Sequence, residues 1–463
     1  MYDLPIQFAN TDADFEMLST VVVAAMRRLS VPGVAVGVLA NGRQYMAGFG
    51  ITSVENPLPV TADTLFQIGS TTKTVTGMMI MRLVEQTLID LDEPVRTYIP
   101  DFRLKDWDAE ATVTVRHLLT HMSGWAGDYF SDTGNGDDCL ARFVVEMAEL
   151  PQLVPPGSIW AYNNAGFSLA GRIIEVVTGK TYEEAAQALV LEPMAMTNSF
   201  FYPADVISRR FAAGHRVDDK NGPVVSRPWA LARAAHSAGG LCSSIRDQLR
   251  YARFHLGDGT APGGEQLLSR ETMHAMQSPH FPANLGRQMG LSWILKELDG
   301  QKIVLHGGAT NGQLSAFLMV PGRDFAITVL TNAEEGGMLH DEVTNWALDH
   351  YLGLKEPEVT HLTLGQEELS QYLGMYEAQM MRLRLYVEGQ QLMVQATPLG
   401  GFPDKDSPAP PAPPPSRLAF YETDRAIALD PPLVNSKIEF LRDENSQLAW
   451  LRTSRLFRRL QPY

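Results

Sequence analysis

The spacing of apolar residues changes from a helical to a strand period within the first fifty positions. Residues 12–29 repeat their apolar side chains about every 3.6 positions, which predicts an amphipathic helix. Two runs of strand character follow, at 34–40 and 43–50, and the dipeptide Asn41-Gly42 between them favours a tight hairpin. The chain therefore opens with a helix followed by two paired strands.

Residues 71–230 have mostly helix and loop patterns, whereas strand patterns return after residue 300. Helices are predicted at 71–85, 140–150, 165–178 and 341–352, and strands at 303–306, 314–320 and 325–330. A sheet would take its strands from residues ~30–65 and ~230–352, with a helical block of residues ~71–230 inserted between them. This order indicates an α/β (α+β) fold in which helices flank a sheet.

The pattern changes after residue 355 and predicts a separate small domain. A linker at 356–365 leads into residues 366–463, where short strand-like runs alternate at close spacing. Such runs are typical of a small β-barrel or sandwich. Residues 403–416 contain too many prolines for a regular ladder and predict a flexible or polyproline loop.

Composition and charge exclude several classes of protein. The 463 residues, 45% hydrophobic and 20% charged, describe a well-cored globular chain of two or three domains. A net charge of -15 without a basic stripe argues against nucleic acid as a partner. Two cysteines, Cys139 and Cys242, exclude a disulfide scaffold. We see no secretory signal and no apolar run of about eighteen residues, so we expect a cytoplasmic protein without a membrane partner.

The most informative chemical feature is Ser70-Thr-Thr-Lys73, at the start of the predicted helix 71–85. Residues three apart share a helix face, so the hydroxyl and the amine should lie together. A serine hydroxyl is a weak nucleophile until a base removes its proton, and a lysine held neutral can be that base. Taken alone, the pattern also occurs by chance, and Ser70 then reads as a helix N-cap.

Two further runs carry polar groups suited to a carbonyl substrate. Tyr162-Asn163-Asn164 lies in a loop, so the phenol of Tyr162 can project into a cleft while Asn164 offers an amide. His306-Gly307-Gly308-Ala309 ends a strand, and its glycines allow another backbone to approach the Ala309 amide. The alternatives are a packing role for Tyr162 and a structural role for His306 at the strand end.

In this order the three runs resemble the motifs of the serine β-lactamase and penicillin-recognising superfamily. The chain is most similar to the class C β-lactamase, D-peptidase and esterase branch, which is peptidase S12-like. Residues 118–124, interpreted as a helix end closed by Gly124, and residues 238–244 agree with this. The resemblance implies a class C β-lactamase-like hydrolase domain over residues 1–355 and a lipocalin-like β-barrel domain over 366–463.

The resemblance also implies a role for each motif residue. Ser70 would form an acyl-enzyme, Lys73 would be its base, and Tyr162 would relay the proton to the leaving group. The backbone amides of Ser70 and Ala309 would form the oxyanion hole. The implied substrate-binding residues are Asn164, which would orient an acyl-side amide or the lysine, His306, Gly307 and Gly308. The resemblance implies no cofactor and no metal, a small-molecule or short-peptide substrate, and leaves a homo-oligomer open.

Two positions depart from the family pattern. His306 stands where lysine is usual, and Gly307 where threonine or serine is common, which removes a cation and a hydroxyl useful for gripping a substrate carboxylate. We therefore expect a serine hydrolase that cleaves an ester or amide of a small or peptidic substrate. The alternatives are a peptidase for D-residue or non-ribosomal linear peptides, an acyltransferase, a true β-lactamase and a non-catalytic penicillin-binding receptor.

Overall fold

The framework of the first 350 residues is a nine-stranded antiparallel sheet, within the residues that the computed structural model describes, 4–218 and 222–460. The strands of this region are β1 (Ile6–Asn10), β2 (Gly33–Ala40), β3 (Arg43–Gly50), β4 (Phe66–Gln67), β5 (Ser199–Phe200), β6 (His215–Asp218), β7 (Gly222–Val225), β8 (Cys242–Ser243), β9 (Phe281–Pro282), β10 (Gln288–Met289), β11 (Ile294–Leu298), β12 (Gln301–Ala309), β13 (Leu314–Val320) and β14 (Phe325–Thr331). The order in the large sheet is β1-β3-β2-β14-β13-β12-β11-β10-β9. Strands from both ends of the region therefore meet where β2 pairs with β14, as predicted.

Helices cover both faces of this sheet. They are α1 (Ala13–Leu29), α2 (Thr72–Glu85), α3 (Val95–Tyr98), α4 (Trp107–Thr112), α5 (Val115–Leu119), α6 (Cys139–Glu146), α7 (Ala165–Thr178), α8 (Tyr182–Ala186), α9 (Pro203–Val206), α10 (His236–Gly239), α11 (Ile245–Leu256), α12 (Arg270–Met276) and α13 (Gly336–Leu352). One buried apolar cluster joins α1 and α13 to the sheet. A larger one joins α2, α7 and α11 to the opposite face. The result is the layered fold that the sequence predicts.

The beginning of the chain follows its local signals closely. Asp12 caps α1, accepting a hydrogen bond from the Phe15 N–H at 2.9 Å. Asn41 and Gly42 have φ of 51° and 72°, the left-handed conformation that a two-residue hairpin between β2 and β3 requires. The predicted helix and hairpin are both confirmed.

Several elements differ from the sequence prediction. Strands β1, β9, β10 and β11 extend the large sheet beyond the predicted segments, because strands of two to five residues are too short for a clear periodic signal. The predicted closing helix starts earlier, at Gly336. The interpretation of residues 118–124 as a helix closed by Gly124 is wrong. Helix α5 already ends at Leu119, and His121 adopts a φ of 58°.

The C-terminal region is a closed β-barrel, as expected. Its strands are β15 (Gly374–Ala378), β16 (Met381–Glu388), β17 (Gln391–Pro398), β18 (Ser416–Glu422), β19 (Arg425–Ala428), β20 (Lys437–Arg442), β21 (Leu448–Arg452) and β22 (Leu456–Arg459), preceded by α14 (Gln366–Ser370). Among the described residues, these eight strands pair in chain order and β15 closes on β22. The proline-rich segment is a loop, except that Ser416 already belongs to β18. The domain boundaries at 355 and 366 remain predictions.

The barrel is docked on the sheet region through polar and aromatic contacts. The Lys405 N–H donates to the Phe130 carbonyl at 2.5 Å, and the Phe130 and Phe402 rings lie 5.1 Å apart. On the other side, the Asn284 amide donates to the Thr453 carbonyl at 2.6 Å. The turn between β21 and β22 therefore approaches the sheet region closely. Among residues 4–218 and 222–460, no helix combines the length and apolar character needed to cross a bilayer.

Candidate active site

Ser70 lies where the chain passes from strand β4 into helix α2. Residues Gly69–Thr71 form a 3-10 turn directly before the helix, so Ser70 occupies its first turn as predicted. Ser70 is partly exposed, whereas Lys73, one turn later, is fully buried. The Lys73 Nζ lies 3.1 Å from the Ser70 Oγ, within reach of direct proton transfer.

Two carbonyl oxygens hold the Lys73 amine in addition to the Ser70 hydroxyl. The Nζ donates to Asn164 Oδ1 at 2.7 Å and to the Ala238 carbonyl at 2.5 Å. A neutral amine has two N–H bonds and one lone pair. The two carbonyls therefore take both hydrogens, and the lone pair remains for the proton of Ser70. This arrangement suits a base.

The surroundings of Lys73 favour its neutral form. Burial lowers the pKa of Lys73 well below its ordinary value, the positive charge of Arg455 lowers this pKa further, and Asp128 acts in the opposite direction. In the part of the chain that the structure describes, no carboxylate lies within ion-pair distance of the amine. Lys73 is therefore unprotonated over a wider pH range than an exposed lysine.

The loop that carries Tyr162 is fixed by backbone hydrogen bonds on both sides. The Tyr162 N–H donates to the Ser454 carbonyl of the barrel at 2.9 Å. The next N–H, of Asn163, donates to His121 Nδ1 at 3.0 Å. The His121 ring also packs on the Tyr162 ring, with centroids 4.1 Å apart. The phenol is therefore positioned by the barrel and by the segment after α5.

The Tyr162 hydroxyl is buried and holds its proton. Burial raises the pKa of Tyr162, while the nearby Ser70 hydroxyl and the Arg455 charge lower it by less. Among the described residues, no group meets hydrogen-bond geometry to this hydroxyl. The phenol is therefore available to a bound substrate, and it can pass on a proton but not act as a phenolate base at neutral pH.

Two glycines bring the backbone amides of Ser70 and Ala309 together. A β-carbon on Gly69, whose φ is 51°, would lie 2.6 Å from the Ala309 nitrogen. A β-carbon on Gly308 would lie 2.7 Å from the Ser70 nitrogen and would overlap the Ile68 carbonyl oxygen. Only glycine permits such a close approach. The amides of Ser70 and Ala309 therefore lie close together, and the oxyanion hole that they would form stays a prediction.

His306 is buried and uncharged. Its Nδ1 lies 2.7 Å from the Gly307 carbonyl, so this nitrogen donates and carries the proton. Burial lowers the pKa of His306 to about 3. His306 therefore supplies no positive charge at neutral pH. A β-carbon on Gly307 would meet only the Ser315 carbonyl oxygen, at 3.3 Å, a tight contact that a shift of a few tenths of an ångström would relieve.

Asn164 belongs to a hydrogen-bonded chain that begins in the barrel. Its Nδ2 donates to Asp128 Oδ1 at 2.8 Å, while its Oδ1 accepts from Lys73. Asp128 in turn forms a two-pronged ion pair with Arg455, at 2.8 and 2.9 Å. The structure shows the contact of Asn164 with the lysine, and its role towards an acyl-side amide of a substrate stays a prediction.

A cavity of about 500 Å³ opens beside Ser70 and receives side chains from both domains. From the sheet region it is lined by Ser70, Tyr162, Asn164, Arg287, His306 and Ala309. The barrel contributes Met380, Phe402, Ser454 and Arg455. A volume of this size suits a small molecule or a short peptide.

Sequence reasoning missed three residues of this site. These residues are Asp128, His121 and Arg455, and none of them belongs to one of the three motifs. The dense arginines at 452–459 were the available signal for Arg455, but a contact across 327 positions leaves no local pattern. Within the described chain, no group of three or more His, Cys, Asp or Glu side chains is arranged to hold a metal.

Gly308→Ala should nearly abolish acylation of Ser70, because the added methyl group separates the two amides of the oxyanion hole. We expect a loss of at least about 100-fold in the rate of labelling by a fluorophosphonate, the usual effect of losing one such donor. Gly307→Ala is the matched control, and its rate should stay within about threefold of the parent. Equal losses in the two variants would contradict this role.

Comparison with known proteins places this site in a family. A family model described as Beta-lactamase matches residues 18–351. Penicillin-binding protein 4 of Amycolatopsis lactamdurans is 32% identical over 362 residues, which are 77% of this chain and 93% of that protein. The crystal structure of SurE with D-Leu aligns with a TM-score of 0.74 at 24% identity, covering 97% of this chain and 100% of that one.

A class C β-lactamase from Rhodobacter sphaeroides aligns with a TM-score of 0.60 at 23% identity, over 72% of this chain and 99% of that chain. The expected class C β-lactamase-like fold is therefore confirmed, and the similarity to SurE extends over nearly the whole chain. The matched family region contains all three motifs. The chain belongs to the Beta-lactamase family of penicillin-binding-protein-like serine hydrolases.

Proposed function

We propose that this protein cleaves an ester or amide bond of a small or peptidic substrate through an acyl-Ser70 intermediate. The observation that carries the proposal is the buried amine of Lys73, whose hydrogens are taken by two carbonyls while its third contact is the Ser70 oxygen. A neutral amine in this position is a general base for that hydroxyl.

In the first half-reaction, Lys73 takes the Ser70 proton as the oxygen attacks the substrate carbonyl. The resulting oxyanion lies between the N–H groups of Ser70 and Ala309, at the N-terminal end of α2. Tyr162 gives its proton to the leaving alcohol or amine and regains one from the Lys73 ammonium. Water then attacks the acyl-Ser70 ester, with the proton transfers in the reverse order, and loses its proton to Tyr162 and Lys73.

The same site accepts other nucleophiles in the second step. An alcohol or amine in place of water would make the reaction an acyl transfer. A non-catalytic receptor would keep a stable acyl-enzyme, but the proton-holding Tyr162 and the unprotonated Lys73 favour turnover. A true β-lactamase is disfavoured because His306 and Gly307 supply neither cation nor hydroxyl.

A specific observation favours the second candidate, a peptidase for D-residue peptides with a free carboxylate. Arg287 lies in the loop between β9 and β10 and lines the catalytic cavity. Its guanidinium has no hydrogen-bond or ion-pair partner among residues 4–218 and 222–460, and burial lowers the pKa of Arg287 despite the more distant charge of Asp341. A desolvated cation without a partner is costly unless an anionic ligand compensates it.

The position of Arg287 suits the anionic end of a peptide. Ile294 pairs with Leu305, the neighbour of His306, so β11 lies at the end of the motif where the family lysine is missing. Arg287 directly precedes β10, the strand before β11 in the chain. From this position its guanidinium can supply the positive charge that the motif lacks. The similar SurE was solved with D-Leu, which makes D-amino acids the first substrates to test.

Ser70→Ala should abolish the hydrolysis of p-nitrophenyl esters and the mass increase on treatment with a fluorophosphonate or a penicillin. Tyr162→Phe should still be labelled but release its acyl group at least about 100-fold more slowly, because the second proton transfer fails. Stopped-flow kinetics and intact-protein mass spectrometry separate the two. Parent-like turnover in Ser70→Ala would exclude the acyl-Ser70 route.

Arg287→Ala should remove a preference for substrates that carry a carboxylate. For N-acetyl-D-leucyl-D-leucine and its C-terminal amide, we expect the parent to favour the acid by about 10- to 100-fold in kcat/KM, the range of a charge-assisted hydrogen bond. Arg287→Lys should retain part of the preference. Lys437→Ala is the control, because Lys437 is a nearby cation that does not line the cavity. An unchanged preference in Arg287→Ala would contradict the assignment.

A further inference from the structure

The turn between β21 and β22 inserts a cation from the barrel into the catalytic cavity. Ser454 and Arg455 line this cavity beside Ser70. The Arg455 guanidinium lies 4.7 Å from the centre of the Tyr162 ring, which adds a cation–π contact to the backbone bond between Tyr162 and Ser454. The barrel therefore touches the catalytic machinery itself and not only its surroundings.

A continuous chain of polar contacts runs from this turn to the catalytic amine. Arg455 Nε and Nη2 both bind the Asp128 carboxylate, at 2.8 and 2.9 Å. Asp128 Oδ1 accepts from the Asn164 amide at 2.8 Å. The other end of that amide accepts from the Lys73 Nζ at 2.7 Å.

The direction of the Asn164 amide depends on this chain. An asparagine side chain can present either its oxygen or its NH2 group to a neighbour, whereas an ionised carboxylate only accepts. Asp128 therefore draws the NH2 group and turns the oxygen towards Lys73. With the amide reversed, the NH2 group would face the amine, and one N–H of Lys73 would lose its acceptor.

Arg455 stabilises the ionised form of the buried Asp128 carboxylate. Asp128 is only 9% exposed, and burial alone would raise its pKa, but Arg455 and Asn164 together hold the pKa of Asp128 below its usual value. Removing the arginine would leave a buried carboxylate without its counter-charge. The charge partner that remains for it is the Lys73 amine, so the carboxylate would favour a proton on that amine.

We propose that Arg455 is a positioning residue of the active site: through Asp128 it fixes the Asn164 amide that holds the Lys73 amine. The inference rests on the proposed role of Lys73 as base. It assigns the barrel a part in catalysis, because the sheet region alone cannot supply the cation that completes this chain. Arg455 itself does not contact the reacting atoms and acts through Asp128.

The titratable side chains that face Lys73 come from several elements, but only two of these side chains are charged at neutral pH. Burial lowers the pKa of His121 and of His306, so both rings are neutral. Tyr162 keeps its proton because its pKa is raised. The Arg455 cation and the Asp128 anion therefore act on the Lys73 amine with opposite sign, and each offsets the other.

The barrel should stay docked without Arg455, because other contacts hold it. The Asn284 amide binds the Thr453 carbonyl, and the Leu285 N–H donates to Glu439 Oε2 at 3.3 Å. On the opposite side, the Lys405 N–H binds the Phe130 carbonyl. Loss of the arginine side chain is therefore a local change, which allows a positioning role to be separated from a docking role.

The test compares the pH dependence of Ser70 acylation in Arg455→Met and Asp128→Asn. In Arg455→Met the uncompensated Asp128 charge raises the pKa of Lys73, so the acidic limb of the profile should move up by about one to two pH units. In Asp128→Asn the uncompensated Arg455 charge lowers this pKa, and the limb should move down. The double variant should return towards the parent profile.

The rate at the pH optimum gives a second readout. We expect the kcat for a p-nitrophenyl ester to fall about 10- to 100-fold in Arg455→Met with KM changed less, because the base and not the substrate is misplaced. Arg455→Lys keeps the charge without the two-pronged contact and should recover part of the loss. Arg458→Met, which removes an exposed arginine from the following strand β22, should match the parent in both readouts.

A direct titration keeps this inference separate from the proposed reaction. The pKa of Lys73 can be followed by its 13Cε resonance, assigned with Lys73→Met, whether or not the protein turns over a substrate. Opposite shifts of this pKa in Arg455→Met and Asp128→Asn support the positioning role. Unchanged values, shifts of one sign, or a lower melting temperature alone would overturn it, whereas absent Ser70 labelling in the parent would count only against the proposed reaction.

Discussion

The site depends on one buried amine whose surroundings lower its pKa well below the ordinary value of a lysine. Lys73 is fully enclosed, and its three polar contacts are a hydroxyl, a side-chain amide oxygen and a backbone carbonyl. An ammonium group in this place would lack both water and a carboxylate partner, so its formation is costly. The fold meets this constraint by surrounding α2 with α7, α10 and the sheet, which exclude solvent from the amine but leave Ser70 accessible.

Gly69 and Gly308 on one side, and the turn between β21 and β22 on the other, shape the site around the Lys73 amine. Gly69 and Gly308 allow the turn before α2, which carries Ser70, to contact strand β12 at the Ala309 amide. Arg455 enters from the opposite domain and neutralises Asp128, so the amide of Asn164 can remain oriented. A single loop could not supply both the close backbone approach and a counter-charge, and the protein obtains them from elements far apart in sequence.

The difference between local and long-range contacts explains what the sequence could predict. The motif residues Ser70 and Lys73 lie on one helical turn, and the hairpin at Asn41-Gly42 follows from its turn chemistry, so both were predictable. Asp128 and Arg455 meet across 327 residues through a turn and an irregular loop, and no periodic pattern marks either. Strands β9 and β10 have two residues each, too short for any hydrophobic period.

The neutral state of His306 affects how the site can bind an anionic substrate. Burial keeps that ring uncharged, so a cation for an anionic substrate must come from another element. Two arginines line the cavity among the described residues, and Arg455 is already engaged by Asp128. Arg287 has no such partner and sits beside the strand edge rather than on the motif. In the proposed reaction, catalysis and charge recognition would depend on different residues: the barrel arginine would support the base, and the loop arginine would remain available to the ligand.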